Sequence, residues 1–329
     1  MVNKNYNQKK YCSLATQLEL PAVSKNILSN IINFRRKTNK PKLSPIEREK
    51  AWVTLLSEWS DFAVNNRDYI KSICRDGIPP SVRSQGWLYL TNADQNLNIN
   101  DYLLKAGDPK IISQIEKDIH RQFPNHQMFS DDSPYGKNGQ QNLFSLLKAY
   151  TVLYPRKGYC QAQAPIASML LMQMPIDDAF RVFDRLCLKY AKDYYTDDLK
   201  KVQVEGEILK TLMNLYIPDI YHLFEKKEVE PHMYIVEWFL CLFARTFTPE
   251  ITCRIWDILF SEGTKILFQT ALVILKHTFT PIDRSLDTMD ILSKLKQLPQ
   301  ALNNANYLIG QINEMKIEKY DLLRVHFEL

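Results

Sequence analysis

Nine glycines in 329 residues leave this chain short of the one residue that turns backbone tightly without steric cost. Average usage of roughly 7% would supply more than twice as many. Sandwiches, barrels and phosphate-cradling loops use glycine at their corners, so its scarcity argues against all three and for a chain of helices. The apolar period agrees. Trp52, Leu55, Leu56 and Trp59 recur at i, i+3, i+4 and i+7, and this spacing continues through most of the chain beyond them, whereas alternation of period two is not sustained. Ser44 and Pro45, just ahead of that run, have the form of an N-cap and a first-turn proline. The fold class expected is therefore all-α.

Turn signals divide the chain at Asp76-Gly77-Ile78-Pro79-Pro80, at residues 131–139, at Tyr154-Pro155, at Met174-Pro175, and at Pro218, Pro231, Pro249 and Pro281. Three regions result: a basic arm over residues 1–42, a multi-helix domain over 43–300, and a helical extension over 301–329. The breaks also allow two helical halves that meet near residue 170.

Charge is unevenly placed. In residues 1–42 nine lysines and arginines face Glu19 alone, a balance of +8, so the rest of the chain carries −3 of the total +5. Such an arm suits an anionic membrane surface as well as a solvated tail, and no nucleic-acid partner is expected. Cysteines 12, 74, 160, 187, 241 and 253 form no C-x-x-C pair and no zinc spacing, which reads as reduced thiols. The chain opens Met-Val-Asn-Lys-Asn-Tyr without an apolar run, and its greasiest stretches, 164–176 and 266–279, are short or interrupted by Gln173, Pro175 and Lys276. A cytoplasmic location, peripheral to membranes at most, is expected.

Two short segments carry the chemistry. Ile111, Ile112, Ile115 and Ile119 form one apolar stripe of a helix. Successive 100° turns put Asp118 at the edge of that stripe and Arg121 away from it, in a last turn that Pro124 closes. Taken alone, Arg121 is a surface arginine that complements the helix dipole. Forty residues on, Gly158-Tyr159-Cys160-Gln161 follows a proline-marked loop and precedes a small, apolar helix from Ala162 to Leu171. Taken alone, Gln161 caps that helix. Cys160 has no histidine in its segment and reads as a buried thiol; Glu237, inside an apolar run from Tyr234 to Phe243, is expected to be buried with a partner.

In order along the chain, these segments resemble the motifs of TBC-domain Rab GTPase-activating proteins. Arg75-Asp76-Gly77-Ile78-Pro79-Pro80, with Arg83 and Trp87, is similar to the family's opening pattern. Ile115, Asp118 and Arg121 match I-x-x-D-x-x-R, and Tyr159 and Gln161 match Y-x-Q. Glu237-Trp238 through Arg245, then Arg254, Trp256, Asp257, Glu262 and Gly263, resemble its later landmarks. Most of the family follows the glutamine with Gly-Met-Asn, where this chain has Ala162-Gln163-Ala164; with the flanking residues, this resembles the carabin-like subfamily.

The resemblance implies a helical activator that works on a GTP-bound Rab-family small GTPase and so regulates vesicle trafficking. GTP and Mg²⁺ would belong to the partner, and no cofactor of the chain's own is expected; the sequence contains no G-x-x-x-x-G-K-S/T phosphate loop. Arg121 would neutralise charge on the γ-phosphate and Gln161 would orient the attacking water. Asp118 would orient Arg121, with Arg83 a member of that cluster; Tyr159 would buttress the glutamine loop and Trp87 would anchor the core. The alternative is a catalytically silent scaffold that binds a Rab or another partner.

Overall fold

The computed structural model describes residues 44–196 and 198–318. Residues 1–42, the whole of the expected basic arm, lie outside the described residues, as do 319–329. Among the described residues there are sixteen α-helices, one π-turn, two 3₁₀ turns and no strand. They divide into two compact units, one ending at Ile70 and the other beginning at Lys71, a division far from residue 170.

The first unit holds α1 (Pro45–Ser57), α2 (Trp59–Asn65) and the opening of α3 (Arg67–Asp76). Helix α1 begins as its sequence dictates. The Ser44 hydroxyl accepts from Glu47 N–H, and the Glu47 carboxylate accepts in return from Ser44 N–H at 2.9 Å, a reciprocal box that satisfies two otherwise orphaned donors. Trp52, Leu55 and Leu56 are buried on one face.

The second unit continues with α4 (Pro80–Thr91), α5 (Asn100–Leu103), α6 (Pro109–Ile119), α7 (Gly136–Leu153), α8 (Gln163–Leu171) and α9 (Ile176–Arg185), the last running into a π-turn, Leu186–Tyr190. Then come α10 (Lys200–Tyr216), α11 (Pro218–Lys226), a 3₁₀ turn at Pro231–Met233, α12 (Ile235–Leu240), α13 (Pro249–Glu262), α14 (Lys265–Thr278), α15 (Thr288–Lys296), a 3₁₀ turn at Gln300–Asn303 and α16 (Ala305–Glu314). Prolines open α4, α6, α11 and α13 at positions where a missing N–H costs nothing.

Two packing groups position everything else. Helix α7 packs against α5, α6, α8 and α9, while α13 packs against α4, α14 and α16. Residues 163–171 of α8 are all buried, as are residues 251–260 of α13. A helix that is apolar all round must lie inside. The charged group buried on α13 is bonded: the Asp257 carboxylate accepts from Ile78 N–H at 2.9 Å and from Trp87 Nε1 at 2.8 Å, and it pairs with Arg83 Nε at 3.3 Å. Burial lifts the Asp257 carboxyl above the usual range, against the pull of the Arg83 charge and of these donated bonds. Gly77, at φ +95°, lets this corner close. A Cβ there would sit 2.5 Å from Arg254 Nε, whose guanidinium donates to the Arg75 carbonyl at 2.8 Å. Helix α16 is bound in as well, through Asn306 to Arg254 at 3.4 Å. No helix among the described residues is long and apolar enough to cross a membrane.

Candidate functional site

Helix α6 starts where Asp108 accepts from Lys110 N–H at 2.8 Å ahead of Pro109. It buries Ile115 and Ile119, and with them Asp118, which the stripe had placed only at its edge. The helix stops earlier than Pro124 requires. Its last residue is Ile119, because the buried Gln122 side chain turns back and donates to the Asp118 carbonyl at 2.8 Å, ending the ladder there. Arg121 therefore stands just past the helix rather than in its last turn, on backbone held by its own N–H to the Asp118 carbonyl at 3.2 Å. Phe123, ahead of Pro124, takes φ +43°.

The loop over residues 120–135 then lies tightly on the start of α7. The Gln140 amide donates to the Phe129 carbonyl at 2.8 Å and to Asp131 at 2.7 Å. Gly136 and Gly139 make the close approach feasible. A Cβ on Gly139 would fall 1.8 Å from the Met128 carbonyl oxygen, and one on Gly136 would fall 1.9 Å from that of Ser130. Nothing in a one-dimensional reading singles out these glycines, since both sit in a segment that reads as a loop.

On the other side, α7 is followed by Tyr154, whose hydroxyl donates to the buried Asp184 at 2.7 Å. The chain reverses through Gly158 at φ +63°, a conformation that L side chains rarely adopt. Tyr159 then points inward, and its hydroxyl donates to Asp118 Oδ2 at 3.0 Å. Burial, then the Asp118 charge, pushes the phenol far above the ordinary tyrosine range, so it stays a donor at any physiological pH. The second Asp118 oxygen faces Arg121 Nη1 at 3.7 Å. One carboxylate thus touches both segments. The Arg121 side chain, 67% exposed, and Gln161 both reach solvent. Cys160, the residue before Gln161, is held as a thiol, because burial raises its pKa.

The expected cluster loses one member. Arg83 does not join Asp118 and Arg121; it pairs with Asp257 and donates to the Ile78 carbonyl at 2.7 Å and to Gln173 at 3.2 Å. A nearly buried guanidinium takes the carboxylate that lies beside it, and Asp257 is presented by α13. Trp87 is fully buried on the same carboxylate and edge-on to Phe260. Glu237 is exposed instead of buried, 3.9 Å from Arg245, since it falls on the outer face of α12 while Trp238 and Phe239 turn inward. Among the described residues no group of three or more His, Cys, Asp or Glu side chains is placed to hold a metal ion.

Comparison with known proteins decides the lineage of this arrangement. The model of the family described as the Rab-GTPase-TBC domain matches residues 48–281. The chain belongs to the Rab-GTPase-TBC domain family. Among curated relatives, it is 43% identical over 250 residues to the fruit fly (Drosophila melanogaster) protein TBC1 domain family member whacked, covering 73% of this chain and 68% of that one. To mouse (Mus musculus) TBC1 domain family member 10B it is 39% identical over 279 residues, and to mouse Carabin 34% identical over 281 residues. These matches cover 82% and 83% of this chain, but only 35% and 63% of the relatives' own lengths. The TBC fold itself is shared with the crystal structure of the Ypt/Rab-GAP domain of Gyp1p, at a TM-score of 0.68 and 18% identity, over 87% of this chain and all of that one.

Proposed function

We propose that this TBC domain accelerates GTP hydrolysis on a Rab-family GTPase by supplying Arg121 and Gln161 in trans. The observation that carries the reading is the shared Asp118 carboxylate: it is bonded to Tyr159, beside Gln161, and faces Arg121, so the two exposed side chains are referenced to one buried point. Charge develops on the γ-phosphate oxygens in the transition state, and a guanidinium fork meets it where a lysine's single point charge would not. A glutamine amide both donates and accepts, which suits it to align a water. The partner brings GTP and its Mg²⁺, and the consequence for the cell is control of vesicle trafficking from the cytoplasmic side of membranes. Both side chains reach solvent instead of being bonded into the core, which favours a catalytic domain over a silent scaffold.

The test is phosphate release from a panel of purified GTP-loaded Rab proteins, with the unaltered chain and with Arg121→Ala. At least one Rab is expected to be accelerated, and the alanine form should lose about 10³-fold or more of that acceleration. An alanine form as active as the parent on the same Rab refutes the assignment.

A further inference from the structure

The stretch after Gln161 opens the buried helix α8, and the structure shows what stands there. Gln163 is the first residue of α8 and is 2% exposed. An amide so deeply buried is costly unless it is bonded. Its Oε1 accepts from Cys160 N–H at 2.9 Å, and its Nε2 lies 3.8 Å from Cys187 Sγ on the π-turn. Its own N–H donates to the Cys160 carbonyl at 2.9 Å, so Gln163 holds both polar groups of the residue just before Gln161. The Gln161 carbonyl accepts from Ala164 N–H at 3.2 Å, while Tyr159 is fixed on Asp118. Backbone on both sides of Gln161 is thus bonded, and its side chain alone is left to solvent.

From this we infer that Gln163 is the positioning residue for Gln161: its side chain, seated on Cys187, clamps the Cys160 peptide and so aims the Gln161 amide. The inference rests on the reading of Gln161 as the water-orienting group. Alanines at 162 and 164 flank the first residue of α8 and offer no side-chain donor or acceptor, so the burden of ordering the turn falls on the amide between them. The apolar alternative at 163 would fill the space and leave the part-buried Cys160 N–H without this partner.

The experiment is a double-mutant cycle of Gln163→Met and Gln161→Ala on the Rab that the unaltered chain accelerates most, reading kcat and KM separately and checking each variant's fold by circular dichroism. Because misplacement by about 1 Å can cost on the order of 10²-fold, Gln163→Met is expected to lower kcat by roughly that factor with KM held. In the Gln161→Ala background the same change should do nothing further, because the group it aims is gone. An equal loss in both backgrounds, or a wild-type kcat for Gln163→Met, overturns the inference. A Gln161→Ala protein as active as the parent overturns the underlying reading instead, and that outcome is visible without Gln163. Should Gln163→Met fail to fold, Cys187→Ala takes its place: it is expected to give a smaller fall in kcat that again disappears with Gln161→Ala, and an unchanged kcat overturns the inference.

Discussion

Asp118 is a residue with two jobs, one for each oxygen. Oδ2 takes the Tyr159 hydroxyl and Oδ1 faces the Arg121 guanidinium, so removing the hydroxyl alone separates the jobs. Tyr159→Phe keeps the ring and its packing. A hydrogen bond to a charged acceptor is worth about 1.5–3 kcal/mol, and a loss of that size is expected in urea unfolding. Single-turnover hydrolysis should slow at the same time, since the Gln161 segment loses its tie to the Arg121 segment. An unchanged rate would mean that the two segments keep their alignment without the bond. Some of this is legible in one dimension: Asp118, Arg121, Tyr159 and Gln161 stand in recognisable spacing. Gln163 is legible too, in a way easily overlooked, as a lone amide at the start of an otherwise apolar run.

At the scale of elements, local chemistry reads true where both partners are neighbours and fails where they are not. The Ser44–Glu47 box spans three residues and its helix starts on cue. The end of α6 falls short of its expected place because Pro124 bars helix only at its predecessor, while the actual stop comes from a Gln122 side chain whose reach no periodicity reports. The contact between residues 120–135 and α7 is likewise silent in the sequence, yet it sets a prediction. In most helices Gly→Ala gains roughly 0.5–1 kcal/mol. At Gly139 the new Cβ would meet the Met128 carbonyl at 1.8 Å, and overpacking of about 1–3 kcal/mol outweighs the propensity gain. Gly139→Ala should therefore lower stability, and hydrogen exchange should quicken over residues 120–135, the loop that begins at the Arg121 segment. A stabilised variant with unchanged exchange would contradict this account.

At the scale of the whole molecule, one knot of buried bonds joins distant parts of the chain at Asp257. Asp257 gathers Ile78, Arg83 and Trp87, residues 170 or more positions earlier in the chain. That separation is why a motif alone assigns Arg83 to the wrong carboxylate: nothing near it in sequence names its partner. Asp257→Ala strands a nearly buried guanidinium and an indole N–H, and breaking such a pair costs about 3–5 kcal/mol. Chemical denaturation should show a loss in that range, with any fall in GTPase stimulation tracking the unfolded fraction. A variant as stable as the parent would remove Asp257 from the centre of the fold.

The same separation sets a clock on biosynthesis. Trp87 leaves the ribosome 170 residues ahead of the aspartate that receives it. At ordinary elongation rates of about 5–20 residues per second, that interval is roughly 9–34 s. Throughout it the Arg83 charge and the Trp87 indole, both buried in the finished fold, lack the Asp257 carboxylate that receives them, so their final burial waits on α13.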